Sequence, residues 1–169
     1  MRYGLVLLAA AACNRSPKAV SGDLDVTWRG SARGRFVAPL QATHCAETGQ
    51  VELLAIRADT GIGMALFLDD SAVVQPVVYP VMSGSMMQET RPGSSIAARW
   101  FAVTSIAAFE GITGKVTLSA AGTSLTGTLD VTFKALDRPD TLHMSGSFTQ
   151  VPLVKGDSSC RLIRKRNKL

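Results

Sequence analysis

The chain has 169 residues, of which 46% are hydrophobic and 6% aromatic, with 18 Lys and Arg against 13 Asp and Glu for a formal net charge of +5. This apolar content excludes a disordered chain, and the length suits one ordinary domain. The charge is uneven: residues 161–169 carry five basic and no acidic groups, while residues 13–160 carry 12 basic and 13 acidic ones. The body of the chain therefore lacks the basic face of a nucleic-acid-binding domain, and no nucleic-acid partner is expected.

The chain opens Met-Arg-Tyr-Gly-Leu-Val-Leu-Leu-Ala-Ala-Ala-Ala-Cys, one charge followed by an apolar run from Leu5 to Ala12. A membrane-spanning helix needs roughly 20 apolar residues, so this run is too short to be one. It fits the core of a secretory signal, with a positive start and a small-residue exit. Residues 13–23 are polar, with a Pro and a Gly, and read as a flexible tether. Residues 24–160 read as a β domain, and residues 161–169 as a basic tail that is either solvated or laid against anionic headgroups.

From Leu24 onward the pattern is of strands and turns. Leu24, Val26 and Trp28 alternate with Asp25 and Thr27, the period of a half-buried strand. A turn over Arg29 to Gly34 leads into a second strand, Arg35 to Cys45, in which Pro39 marks an edge or a bend. Val51 to Ala58 and Ile62 to Leu68 give two more strands, with a turn at Asp59-Thr60-Gly61. Val73 to Val81, broken by Pro76 and Pro80, reads as an edge strand or extended segment. Met82 to Ser95 reads as a long loop. Ala97 to Ala108 fits either a strand or a short helix, because its alanines blur the period. The strongest signal is an antiparallel meander over 114–152: Val116 to Ala120, then Leu125 to Phe133, then Leu142 to Phe148, each with an apolar face opposite one of Thr and Ser. The expected fold is all-β, an antiparallel sandwich or small barrel of about eight to nine strands.

The three Ala before Cys13 resemble the lipobox of bacterial lipoproteins, in which small residues precede a Cys that is diacylated, cleaved before and then N-acylated. Lipoboxes favour Leu three residues before the Cys, where this chain has Ala10. The resemblance implies a signal peptide over 1–12, lipid such as palmitate on Cys13, and a membrane partner through that lipid. The other reading is an ordinary signal cut elsewhere in the alanine run. Asn14, where Asp would direct retention on the inner membrane, points to the outer membrane of a bacterial cell envelope. Residues 114–160 also resemble the closing strands of uncharacterised bacterial lipoproteins, "xGTxxVxF" then "xGxF" with a following Cys; that resemblance implies no activity.

With Cys13 assigned to lipid, Cys45 and Cys160 remain as a pair in an exported chain, and a disulfide is expected. The rival is a zinc or copper site using Cys45 and His44. Catalytic signals are weak. His44 and His143 are the only histidines, and no Gly-x-Ser-x-Gly elbow occurs. Asp69-Asp70 suits a turn better than a glycosidase pair. Soft Met donors at Met82, Met86 and Met87, with His143 and Met144, give a weak case for Cu(I). The expected function is thus a non-enzymatic, membrane-anchored binding or structural module facing an envelope protein or small ligand, without a cofactor. The alternatives are a small apolar-ligand carrier, its pocket lined by Trp28, Phe36, Trp100 and Phe133, and a periplasmic copper-binding protein.

Overall fold

The computed structural model describes residues 22–69, 73–83, 91–102 and 105–156, and these form nine strands and no helix. The strands are β1 (Asp23–Gly30), β2 (Gly34–Cys45), β3 (Gln50–Arg57), β4 (Thr60–Phe67), β5 (Val78–Pro80), β6 (Gly93–Ala102), β7 (Ser105–Ala120), β8 (Ser124–Ala135) and β9 (Thr141–Lys155). Eight of them close a barrel: each pairs antiparallel with the next, β4 pairs with β6, and β9 returns to β1. β5 stands outside this ring and pairs with β7 alone. Closure settles the choice between sandwich and barrel, since it leaves the eight strands no free edge.

Alternation explains the closure. Inward positions are apolar on every barrel strand, among them Leu24 and Val26, Phe36 and Leu40, Val51 and Leu53, Ile62 and Leu66, Ile96 and Ala98, Phe109 and Val116, Leu129 and Phe133, and Met144 and Phe148. All of them belong to one continuous core. The period of two places this set on one face of the curled sheet, and an eight-stranded barrel is just wide enough for side chains to fill it.

The longest strand, β7, bends to follow the wall. Its register with β8 shifts between Gly111 and Thr113 and again between Leu118 and Ala120. Such bulges tighten the local curvature. Gly114, just beyond the first shift, has φ +124, and a Cβ there would lie 2.2 Å from the Asp130 carbonyl oxygen. Only glycine lets the two strands meet at this corner.

β1 is short, and its neighbours meet beyond it. Asp23 pairs with Pro39. After that point β2 and β9 pair in parallel, from Ala42 opposite Leu153 to His44 opposite Lys155. Pro39 therefore sits at the end of the β1–β2 ladder, where β2 changes partner. Both described ends of the barrel, Gly22 and Gly156, lie at this pole. The turns 45–50 and 120–124 and the long β4–β6 connection share it. The opposite, far pole holds the turns 30–34, 57–60, 102–105 and 135–141.

Two expectations need correction. Met82 to Ser95 is not loop throughout: β6 starts at Gly93, and Ser94 is completely buried. Its hydroxyl donates to the Tyr79 carbonyl at 3.0 Å, with the Pro80 carbonyl 3.1 Å away, which fastens β5 to the barrel. Ala97 to Ala108 is neither one strand nor a helix, but the facing arms of the β6–β7 hairpin, with Phe101 opposite Ile106.

Candidate functional site

The far pole is closed by aromatic rings. Trp28 near the end of β1 stacks on Trp100 near the end of β6, ring centres 5.2 Å apart and planes 22° apart. Trp100 stacks in turn on Phe109 of β7, at 4.7 Å and 18°. Arg138, from the β8–β9 turn, lies over the same Phe109 with its guanidinium carbon 5.9 Å from the ring centre. Asp140 holds that guanidinium through a 2.6 Å ion pair, and Asp137 lies 4.0 Å away. The result is a four-layer stack of three rings and one cation, each contact favourable beyond simple burial.

The local sequence makes room for the stack. Gly34 faces Trp28 across the β1–β2 pair, and a Cβ there would lie 2.3 Å from the indole. Trp100 is opposite Ala107, a small residue. The tryptophans are partly buried and pack against the core, whereas Phe109 is fully enclosed.

Trp28, Phe36, Trp100 and Phe133 do face inward, where the sequence places them. They join one packed core; Phe133 exposes 0% of its surface. Trp28 and Trp100 lie at the mouth, with Phe36 and Phe133 in the core below them.

The terminal pole is closed by polar bonds. Arg91 donates from Nη1 to the carbonyls of Gly49 (3.0 Å) and Leu68 (2.7 Å), and from Nη2 to that of Thr48 (3.3 Å). Tyr79 of β5 is buried, with its hydroxyl donating to the Gln75 carbonyl at 3.2 Å. Burial pushes this hydroxyl above the ordinary tyrosine value, opposed by the bond to Gln75.

On the outer wall of β8, β9 and β1, hydroxyls and charges replace apolar groups. His143 Nε2 lies 3.0 Å from Asp130 Oδ1. Arg35 forks onto Asp25, Nε to Oδ1 at 3.0 Å and Nη2 to Oδ2 at 2.8 Å. That hydrogen bond, with the charge of Asp25, raises the Arg35 value further.

The remaining sequence candidates separate. Met144 is completely buried in the core, while its neighbour His143 points outward, so the two cannot share one metal ion. Met82 is buried near the terminal pole. Met86, Cys13 and Cys160 lie outside the described residues. Cys45 is buried at the end of β2, next to His44. Among the described residues, His, Cys, Asp and Glu form no group of three able to hold a metal ion.

Sequence reasoning did not find the aromatic stack. Its members lie 72 and nine residues apart along the chain, and only the closure of β1 towards β6 and β7 across the mouth unites them. The available signal was the pair of tryptophans near strand ends. Fold and site define an up-and-down β-barrel sealed by aromatics at one pole and by a polar clamp at the other. Comparison with protein-family models, curated proteins and solved structures finds no significant match.

Proposed function

We propose that this chain is a lipid-anchored protein of the bacterial cell envelope, its barrel serving as a non-enzymatic binding or structural module on the outer membrane. One observation carries the reading: an acylation-type sequence at Met1–Cys13 precedes a barrel that the chain enters at Gly22, on the same pole where it leaves at Gly156. An anchor on Cys13 thus holds the barrel by its terminal pole and leaves the far pole free. The nine residues between Cys13 and Asp23 extend over at most about 35 Å of contour, enough to let the barrel turn. Supporting the binding role, the inward-facing side chains form one continuous apolar core, with Tyr79 its one member that carries an ionisable hydroxyl. Membrane attachment by several acyl chains is stable where a single chain is marginal.

The same reading joins Cys45 to Cys160. Lys155 lies opposite His44 in the parallel β2–β9 pair, and the Gly156 amide donates to the His44 carbonyl at 2.9 Å. The chain thus leaves the barrel beside Cys45 with three residues between Gly156 and Cys160.

Metabolic labelling with palmitate, comparing wild type with Cys13→Ser, tests the anchor. Label is expected in the wild type alone; equal labelling refutes lipidation at Cys13.

A further inference from the structure

Three of the four far-pole turns are flanked by exposed apolar side chains. Ile56 precedes the β3–β4 turn, Phe101 and Ile106 face each other beside the β6–β7 turn, and Leu136 follows β8; their exposures are 55%, 57%, 53% and 66%. The fourth turn, between β1 and β2, is flanked by Arg29 and contains Arg33. At the terminal pole the short turns read Ala46-Glu47-Thr48-Gly49 and Ala121-Gly122-Thr123, without a large apolar group; the exposed apolar residues of that half, Val73, Val78 and Val154, lie on the long β4–β6 connection and the end of β9, not on turns.

Charge divides along the same axis. The described residues hold ten basic and ten acidic groups. At the far pole Arg29, Arg33, Arg57, Arg99, Lys134 and Arg138 face only Asp59, Glu110, Asp137 and Asp140, an excess of two positive charges. Two of those acids, Asp137 and Asp140, are engaged by Arg138. The Arg57 guanidinium donates to the Val37 carbonyl, a neutral acceptor that leaves its charge uncompensated.

We infer that the far pole is a docking surface for an anionic lipid bilayer. Ile56, Phe101, Ile106 and Leu136 enter the boundary between headgroups and acyl chains, while Arg29, Arg33, Arg57 and Arg99 meet anionic headgroups. Apolar side chains on separate turns of a convex end suit a soft apolar layer, which can accept each of them at once. A water-swollen polysaccharide offers Leu136 and Ile56 no apolar interior. Arginine beside aliphatic and aromatic groups is the usual composition of an interfacial surface. The inference rests on the barrel being a binding module, and not on acylation of Cys13.

The test uses the chain starting at Asn14, which lacks the lipid acceptor and keeps the entire core, Leu24 to Val151. It is floated with vesicles of equal parts phosphatidylglycerol and phosphatidylcholine, and with phosphatidylcholine alone. Retention on the anionic vesicles is expected to exceed that on neutral ones by about tenfold, and to weaken with salt. The double variant Phe101→Ser/Ile106→Ser should lose about tenfold on the anionic vesicles. Ile56→Ser/Leu136→Ser repeats the test if the first pair fails to fold. Removing residues 161–169 should leave most of the binding in place. The inference is overturned by absent retention, by retention that neither double variant changes, or by retention that vanishes with the basic tail. It is also overturned if the chain is a dimer that Phe101→Ser/Ile106→Ser dissociates, since a second copy then covers the rim. Failure of palmitate labelling would remove the anchor and leave the vesicle result untouched.

Discussion

The two poles of the barrel close the same apolar core by opposite means. At the far pole Trp28, Trp100 and Phe109 stack, with Arg138 as the outermost layer. At the terminal pole Arg91 gathers three carbonyls, and Ser94 holds the strap of β5. Rings seal by area and need no particular donor. The polar clamp depends on Arg91 reaching the Leu68 carbonyl, because a buried unpaired acceptor costs about 1–3 kcal/mol, whereas the Gly49 carbonyl also accepts from the Leu68 amide. A ring-sealed pole can also carry exposed apolar side chains on its turns, since its closure does not depend on them. The pole where the chain enters and leaves spends its polar groups on holding ends together.

The largest expected effect lies at the terminal pole. The proposed Cys45–Cys160 disulfide would enclose more than 100 residues, and in the chain-entropy picture its loss would cost about 4–5 kcal/mol. Denaturation of the oxidised chain with and without reductant measures this; an unchanged midpoint would show that no such bridge exists. Next is Trp100→Ala, expected to cost about 3 kcal/mol by urea titration. The exciton-coupled circular dichroism of the two stacked indoles should vanish in this variant, and also in the milder Trp28→Phe. Ser94→Ala and Arg91→Met should each cost about 1–2 kcal/mol. If both proved neutral, the terminal pole would be closed by apolar packing and the contrast between the poles would fall. Smallest is Phe101→Ser on the far rim, within about 0.5 kcal/mol of wild type. A larger loss would mean that the rim residue supports the fold and is not held out for a partner.

Alkaline pH separates the poles as well. Tyr79 titrates higher in the folded barrel than in the unfolded chain. Its contribution is complete below the ordinary tyrosine value of about 10 and is lost as pH rises above it, because only the unfolded chain ionises freely. Tyr79→Phe should flatten that alkaline decline, with little change at neutral pH beyond the lost bond to Gln75.

How far the sequence spoke depended on contrast between the two faces of a strand. In β8 the inward Leu125, Leu129, Val131 and Phe133 oppose Thr126, Thr128, Asp130 and Thr132, and the strand was plain. In β6 the inward Ile96 and Ala98 oppose Ser95 and Ala97; alanine falls on both faces, so the period dissolves and the hairpin after it was missed. Closure was hidden for another reason. Alternation tells which face is inward, but not that β9 returns to β1, because that pairing joins residues more than 100 positions apart, as Val26 does with Gly146. The aromatic seal depends on the same closure, since Trp28 reaches Trp100 only across the finished mouth. The polar clamp was illegible because Arg91 acts on backbone carbonyls, which every sequence carries.

β1 lies between β2 and β9, with six register pairs to one and seven to the other. Its first residue follows directly on Gly22, whose carbonyl accepts from Leu40 and whose amide donates to Thr149. A pull on the preceding chain, directed away from the terminal pole, therefore runs along β1 and loads both ladders in shear. The bonds share the strain together instead of opening one after another like a zipper. A barrel tugged between two surfaces would resist where it is gripped.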